Sequence, residues 1–290
     1  MPPKLVPLPP QWERLGEGAT SIKAAVDEAT RRLSWTVTDT PRLDAEVLMG
    51  FVLGWPRARL FAHWDEALSA EQAQAYTELI ERRGAGEPVA YIRNLKEFLG
   101  LEFYVDRRVL IPRPETELLV ARAVAWLREH PNAHVVDVGT GSGAVAVGIL
   151  RSCPDAQLMA TDVSAEALEV AKMNAARHEV SPEFVRGSLL EPVSGPIDLI
   201  VANLPYLSRE EYERLLSTSI AYEPPTALTD GADGLRLYDE LLAQAPAKLA
   251  PGGSILLEIG AAQGSLRRPG FEAAVFADYA GLPRVLQLRA

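Results

Sequence analysis

Two stretches of the chain combine residue types and spacing that could support chemistry. The first is Val135-Val136-Asp137-Val138-Gly139-Thr140-Gly141-Ser142-Gly143-Ala144, followed by an apolar run at Val145, Val147, Ile149 and Leu150. The pattern reads as strand, tight turn, helix, with glycines where main chain must approach a ligand or a neighbouring element closely. Gly139, Gly141 and Ala144 also fit a dinucleotide fingerprint. A dinucleotide would bring a pyrophosphate to this turn, and the Asp137 carboxylate would repel that anion. A ligand carrying an ammonium and a sulfonium, as S-adenosylmethionine does, would find a counter-charge there. Asp162 ends the next strand, 25 positions after Asp137, where a carboxylate can accept both hydroxyls of a ribose. These residues favour S-adenosylmethionine and leave three alternatives open: a nicotinamide cofactor, an unliganded turn, and Asp162 as a plain helix cap.

The second stretch is Asn203-Leu204-Pro205-Tyr206, at the end of the apolar strand Ile197-Asp198-Leu199-Ile200-Val201-Ala202. It falls at a strand's carboxyl end, where open α/β sheets bind their ligands. It resembles the Asn-Pro-Pro-Tyr of methyltransferases that act on planar nitrogens, with Leu204 in place of the first proline. Those nitrogens are amides or the exocyclic amines of adenine and guanine. An amide nitrogen is a poor nucleophile because its lone pair is delocalised, and the resonance at stake is about 18–20 kcal/mol. One hydrogen bond contributes only about 0.5–1.5 kcal/mol net. Two acceptors, the Asn203 side-chain oxygen and the Leu204 carbonyl, therefore cannot twist the amide fully, but they can aim its face at a methyl carbon. Tyr206 would pack against the planar group. A strand end with an Asx-type turn is the plain structural alternative.

The elements that must position these residues are legible as periodic patterns. Ile22, Ala25, Val26, Ala29 and Leu33 keep helical spacing, and Thr40-Pro41 opens a second helix that runs to Gly54. A third helix starts from the capping-box pair Ser69 and Gln72 and ends at Gly84. Between Glu87 and Arg113 short apolar runs (Tyr91-Ile92, Phe98-Leu99, Leu101 to Val105, Val109 to Ile111) read as a hairpin-like bridge that stops at Pro112-Arg113-Pro114. A helix opens at Glu115 and Thr116. Strands are expected at 135–138, 158–161, 184–186, 199–202 and 254–258, with a helix over 165–178, and 273–276 with 285–288 would form an antiparallel edge. The alternation predicts a mostly parallel sheet wrapped by helices.

Bulk properties narrow the classes. The chain has 290 residues, 48% apolar and 23% charged, which suits an ordinary globular protein of about two domains. No apolar run approaches the ~20 residues of a membrane span. Met1-Pro2-Pro3-Lys4 lacks a secretory pattern, and the single Cys153 cannot form an internal disulfide, so a cytoplasmic protein is expected. Cys153 reads as a bystander near a helix end. The net charge of −10 tilts away from nucleic acid, although Arg107, Arg108, Arg113 and Arg122 could form a local basic patch. Residues up to Glu17 are a proline-rich lead-in.

Further motifs resemble one family in its own order. They are Gly86-Glu87-Pro88-Val89-Ala90-Tyr91-Ile92, Glu97-Phe98, Leu110-Ile111-Pro112-Arg113-Pro114-Glu115-Thr116-Glu117, and Tyr222-Glu223-Pro224 with Ala227-Leu228. Asp233-Gly234-Leu235 with Tyr238, and Asp278-Tyr279-Ala280-Gly281 with Arg284-Val285, complete the set. Over about residues 20 to 290 the chain resembles the bacterial release-factor glutamine methyltransferases of the HemK type. The resemblance implies an α/β fold: a Rossmann-like class I methyltransferase domain, mostly parallel with an antiparallel edge, after a small helical bundle and a β-hairpin bridge. The implied divisions are 1–84 (helical, release-factor docking), 85–117 (hairpin linker) and 118–290 (catalytic). It also implies N5-methylation of the glutamine in the Gly-Gly-Gln tip of class 1 peptide chain release factors.

By that resemblance Asp137, Gly139, Thr140, Gly141, Ser142, Gly143 and Asp162 hold S-adenosylmethionine, with Ser188 at the adenine amine and Leu189 over the ring. Asn203, adjoining the cofactor, acts with Leu204, Pro205 and Tyr206 on the glutamine, and Glu117 with Thr116 lines the site. No metal is implied. The chain departs from the family at Arg186-Gly187-Ser188-Leu189-Leu190, which lacks the usual acid, at Asn94 in place of a bridge glycine, and in a short 261–270 link. A monomer that binds neither membrane nor nucleic acid directly is expected. The rival readings are an N2-guanine or N6-adenine methyltransferase of RNA or DNA, and a non-catalytic release-factor-binding protein.

Overall fold

A computed structural model describes residues 20–266 and 269–289, so the proline-rich lead-in lies outside the described residues. The chain divides into two compact units. One ends at Leu95 and includes Leu215–Tyr222, and the other runs from Lys96 to Arg214 and again from Glu223.

The first unit is helical. Ser21 caps α1 (Ile22–Leu33), its hydroxyl accepting from the Ala24 N–H, and Ile22, Ala25, Val26, Ala29 and Leu33 form the buried stripe. Proline opens α2 (Pro41–Leu53), and Gly54 closes it in the left-handed region at φ +66°. Thr40 is not a side-chain cap. Its hydroxyl donates instead to Asp44 at 3.0 Å, and the Thr38 hydroxyl donates to the same carboxylate at 2.6 Å. A short α3 (Arg57–Ala62) precedes α4 (Ala70–Gly84), which has the capping box expected of Ser69 and Gln72. The buried Tyr76 hydroxyl donates to the Ala45 carbonyl and ties α4 to α2. Tyr91 and Ile92 are not strand: they lie in α5 (Val89–Arg93), closed by Asn94 at φ +51°. Asparagine tolerates that conformation better than most residues, so the missing glycine is accommodated.

In the second unit β1 (Lys96–Phe98) and β2 (Leu101–Phe103) form the expected hairpin, turning through Leu99 and Gly100. Val109 to Ile111 adds no strand, because the Ile111 N–H donates to the Glu223 carboxylate rather than to a ladder. Next come α6 (Thr116–Glu129), β3 (His134–Val138), α7 (Ala144–Ser152), β4 (Gln157–Asp162), α8 (Ala165–Arg177) and β5 (Glu183–Arg186). They are followed by β6 (Ile197–Ala202), α9 (Arg209–Leu215), α10 (Arg236–Gln244), β7 (Leu249–Glu258), β8 (Glu272–Ala277) and β9 (Pro283–Arg289).

β3 to β9 form one seven-stranded sheet in the order β5-β4-β3-β6-β7-β9-β8, parallel except for β9, which is antiparallel to both neighbours. This is the Rossmann-like doubly wound arrangement with an antiparallel edge. The short link after β7 carries a single 3-10 turn, Ala261–Gln263. Alternation along β3 and β6 sends Val135, Leu199 and Val201 to one face, with Leu119, Val147 and Ile149. Val136, Val138, Ile200 and Ala202 go to the other face, with Tyr238 and Leu241. Each such large side chain contributes about 1.5–3 kcal/mol on burial. Strand order reverses around β3, so a crevice opens at its carboxyl end. Among the described residues no helix is long and apolar enough to cross a membrane.

The polar lock of the helical unit is Asp44, which receives Arg83 Nε at 2.7 Å as well as the two threonine hydroxyls. Asp44→Ala strands the buried Arg83 and is expected to cost about 3–5 kcal/mol. Arg82→Ala opens the half-exposed pair with Glu87 and should cost under about 1 kcal/mol. Urea unfolding of the two variants checks the contrast, and equal losses would contradict it.

Candidate active site

The glycine turn is built by main-chain hydrogen bonds. The Gly139 and Thr140 N–H groups both donate to the Thr161 carbonyl, at 2.9 and 3.0 Å, which ties the turn to the end of β4. Gly143 sits at φ +80°, and a Cβ there would lie 3.1 Å from Ala171 Cα on α8. Only glycine meets both demands. From α8 the fully buried Asn174 donates to the Ser142 carbonyl at 2.8 Å and steadies the outer edge of the turn. An asparagine inside an alanine-rich helix is the sequence signal that could have pointed to it.

Asp137 is buried, and the Thr140 hydroxyl donates to it at 2.6 Å. Burial pushes its carboxyl up to about 7, and the nearby Asp162 adds repulsion. Asp162 accepts the Gly141 N–H and the Ser164 N–H, both at 2.9 Å. Ser164, not Asp162, caps α8, so the plain helix-cap account of Asp162 is set aside. Each Asp162 oxygen keeps a lone pair for a further donor.

These residues line a cavity of about 300 Å³. Asp137, Gly139, Thr140, Gly141 and Ser142 contribute to one side, joined by Asp162, Ser188 and Leu189. Thr116, Asn203, Leu204 and Pro205 also line it. Three residues expected in the site do not. Gly143 is turned to α8. Tyr206 is partly buried against the core, its ring beside Gly260 and its phenol pushed by burial up to about 12. Glu117 accepts the Leu99 N–H at 2.9 Å and so anchors the hairpin turn. It lies one residue, about 100° of helix, round from the cavity-facing Thr116.

Asn203 Nδ2 donates to Thr116 Oγ1 at 3.2 Å, leaving Oδ1 as the free acceptor of that amide. The Leu204 side chain is buried and meets Gly139, which leaves the main-chain carbonyl as the residue's polar group on this loop. The Tyr238 hydroxyl lies 3.3 Å from that carbonyl but makes its shorter bond to the Glu258 carbonyl. With one proton to give, it leaves the Leu204 oxygen able to accept from a ligand. Glu258 closes β7 and is missing from the sequence reading. Its signal was an acid ending the apolar run Ile255-Leu256-Leu257.

In the candidate basic patch Arg108, Arg113 and Arg122 are each engaged, and Arg107 lines the cavity with Arg108. Arg108 pairs with Asp106 and Glu169, Arg113 pairs with Glu223, and Arg122 lies 3.5 Å over the Phe276 ring. Cys153 ends α7 with its thiol pushed up by burial, as a bystander would be. Two carboxylates beside exposed main chain suit a cationic, ribose-bearing ligand and disfavour a pyrophosphate, so the residues present fit S-adenosylmethionine.

Comparison with known proteins agrees with the two units. The family described as PrmC N-terminal domain matches residues 24–93, and the Methyltransferase small domain matches residues 115–233. A release factor glutamine methyltransferase of Bordetella pertussis is 42% identical over 253 residues, 84% of this chain and 93% of the relative. That of Deinococcus radiodurans is 37% identical and covers 92% of this chain and 98% of its own length. That of Neisseria gonorrhoeae is 42% identical over 84% of this chain and 92% of its own. With identity at this level spread over both units, the chain belongs to the release factor glutamine methyltransferase family.

Proposed function

We propose that this chain transfers a methyl group to the side-chain amide nitrogen (N5) of the glutamine in the Gly-Gly-Gln motif of class 1 peptide chain release factors. The methyl donor would be S-adenosylmethionine: as the N–CH3 bond forms the S–CH3 bond breaks, S-adenosylhomocysteine is the by-product, and the proton lost from the methylated nitrogen passes to water. The observation that carries the reading is the engaged Asn203 amide: Nδ2 is given to Thr116, and with Asn203 and Leu204 both lining the cavity, Asn203 Oδ1 and the Leu204 carbonyl would be the two acceptors for a substrate amide.

A primary amide has two N–H donors, and two acceptors can hold both and turn the face of the nitrogen toward the cavity. Neither acceptor is a base, so both act by orientation, which contributes several kcal/mol to such a step. Asp162 would hold the ribose, Ser188 and Leu189 the adenine, and Asp137 with the glycine turn the cationic end. The bound cofactor supplies an electrophilic methyl group on a sulfonium sulfur. The exocyclic amine of a base offers the same two donors. Yet Arg108 and Arg113 are committed to carboxylates and the net charge is −10, so this chain presents little to grip a phosphate backbone. The domain over 1–84 would dock the release factor, and 85–117 would link it to a catalytic 118–290.

The direct test incubates enzyme, cofactor and a class 1 release factor and reads the glutamine-bearing peptide by mass spectrometry. One added methyl on that glutamine is expected, and label appearing only on RNA would refute the reading. Asn203→Ala should lower kcat by at least about 100-fold while cofactor affinity stays within about threefold.

The raised carboxyl of Asp137 gives a second expectation. A group held near 7 is protonated at lower pH, and a cationic ligand prefers it ionised. Cofactor affinity should therefore rise as pH goes from 5.5 to 7.5, with a proton released on binding at the acid end. Calorimetry in buffers of different ionisation heat measures both, and Asp137→Asn should remove the dependence. A flat profile in the unaltered protein would contradict the assignment.

A further inference from the structure

Glu258 is the buried titratable group that the proposed chemistry leaves without a task. Both its carboxylate oxygens are buried and without a hydrogen-bond partner among the described residues. An unpaired buried carboxylate is costly, and proteins seldom keep one idle. Its position is set by register. β6 and β7 are parallel with Ala202 opposite Leu257, so the next residues, Asn203 and Glu258, stand side by side at the carboxyl edge.

Thr116 connects them. Its Oγ1 accepts from Asn203 Nδ2. Thr116 also opposes the burial that drives the Glu258 carboxyl up to about 7, although no hydrogen bond joins the two side chains in this structure. The hydroxyl has one proton, and no acceptor takes it among the described residues. The charged and titratable groups felt by Glu258 are Arg284, Arg113, Glu115, Tyr206 and Tyr238. Both arginines are committed elsewhere, to Asp278 and to Glu223.

The geometry points to Glu258 as a positioning residue that decides which end of the Asn203 amide faces the substrate. A small closing of the gap would let the ionised Glu258 take the Thr116 proton, which keeps Thr116 accepting from Asn203 Nδ2 and leaves Oδ1 to face the substrate. A carboxamide substrate then meets an acceptor, whereas a carboxylate in its place meets a repelling oxygen. Glu258 thus acts through Thr116 as a specificity determinant for glutamine over glutamate. The inference rests on the proposed role of Asn203.

Glu258→Gln keeps size and shape but offers an N–H to Thr116. The Thr116 proton then turns to Asn203 Oδ1, and the Asn203 amide reverses. The test compares the full chain and this variant on a release factor and on the same factor with glutamate at the methylated position, the latter as a competitive inhibitor. Glu258→Gln should lower kcat on the glutamine factor roughly 10- to 100-fold, leave cofactor affinity within about threefold, and tighten inhibition by the glutamate factor. Thr116→Val, which breaks the same chain from its other member, should also lose the glutamine-over-glutamate preference and covers the case of a Glu258 variant that does not fold. Parallel loss of both affinities, or an unchanged preference in a folded variant, would overturn the role of Glu258. If Asn203→Ala remains active, the underlying reading of Asn203 has failed instead.

Discussion

Parallel strands in register must end together, and the site depends on that constraint. Val138 of β3 is paired with Thr161 of β4 and with Ala202 of β6, and Ala202 is paired in turn with Leu257 of β7. The four residues that follow are Gly139, Asp162, Asn203 and Glu258. A one-residue slip of any of these strands would turn its whole apolar set to the wrong face of a sheet buried on both sides. The core therefore fixes the register, and the register fixes the line of functional groups. Catalytic placement here is a consequence of packing before it is a matter of local loop geometry.

Within that line the polar groups divide by what they can do. Asp137 and Asp162 are carboxylates whose donors are mainly the turn they support, so cofactor binding and turn conformation are coupled. Asn203 and the Leu204 carbonyl are acceptors held from behind by Thr116 and Tyr238, which anchor to α6 and β7. On the proposed reading residue 204 would act through its carbonyl, which leucine supplies as well as proline, while the leucine side chain fills the space over Gly139.

Much of this was legible in the sequence where one residue type meets a backbone demand. The glycine turn, the capping box at Ser69, the alternating strands and the antiparallel edge follow from local rules, and Asn94 takes up the positive φ that a bridge glycine would have had. Local reading failed where a distant partner decides. Tyr91-Ile92 looks extended, but Pro88 starts and Asn94 closes one helical turn around it. Val109 to Ile111 has strand composition, yet Glu223, 112 positions away from Ile111, takes the Ile111 N–H. Glu117 shares a motif with Thr116, but helical rotation separates their targets. Glu258 carries little local signal, because an acid at the end of a strand gains meaning only beside Asn203.

The central claim is that the substrate amide sits between Asn203 Oδ1 and the Leu204 carbonyl, across the cavity from the carboxylates of β3 and β4. A crystal structure of the chain with S-adenosylhomocysteine and a Gly-Gly-Gln peptide measures this directly. The account predicts both amide hydrogens within hydrogen-bond distance of those two oxygens, about 2.7–3.2 Å from the nitrogen. A glutamine amide bound to other groups, with Asn203 Nδ2 toward it, would contradict it.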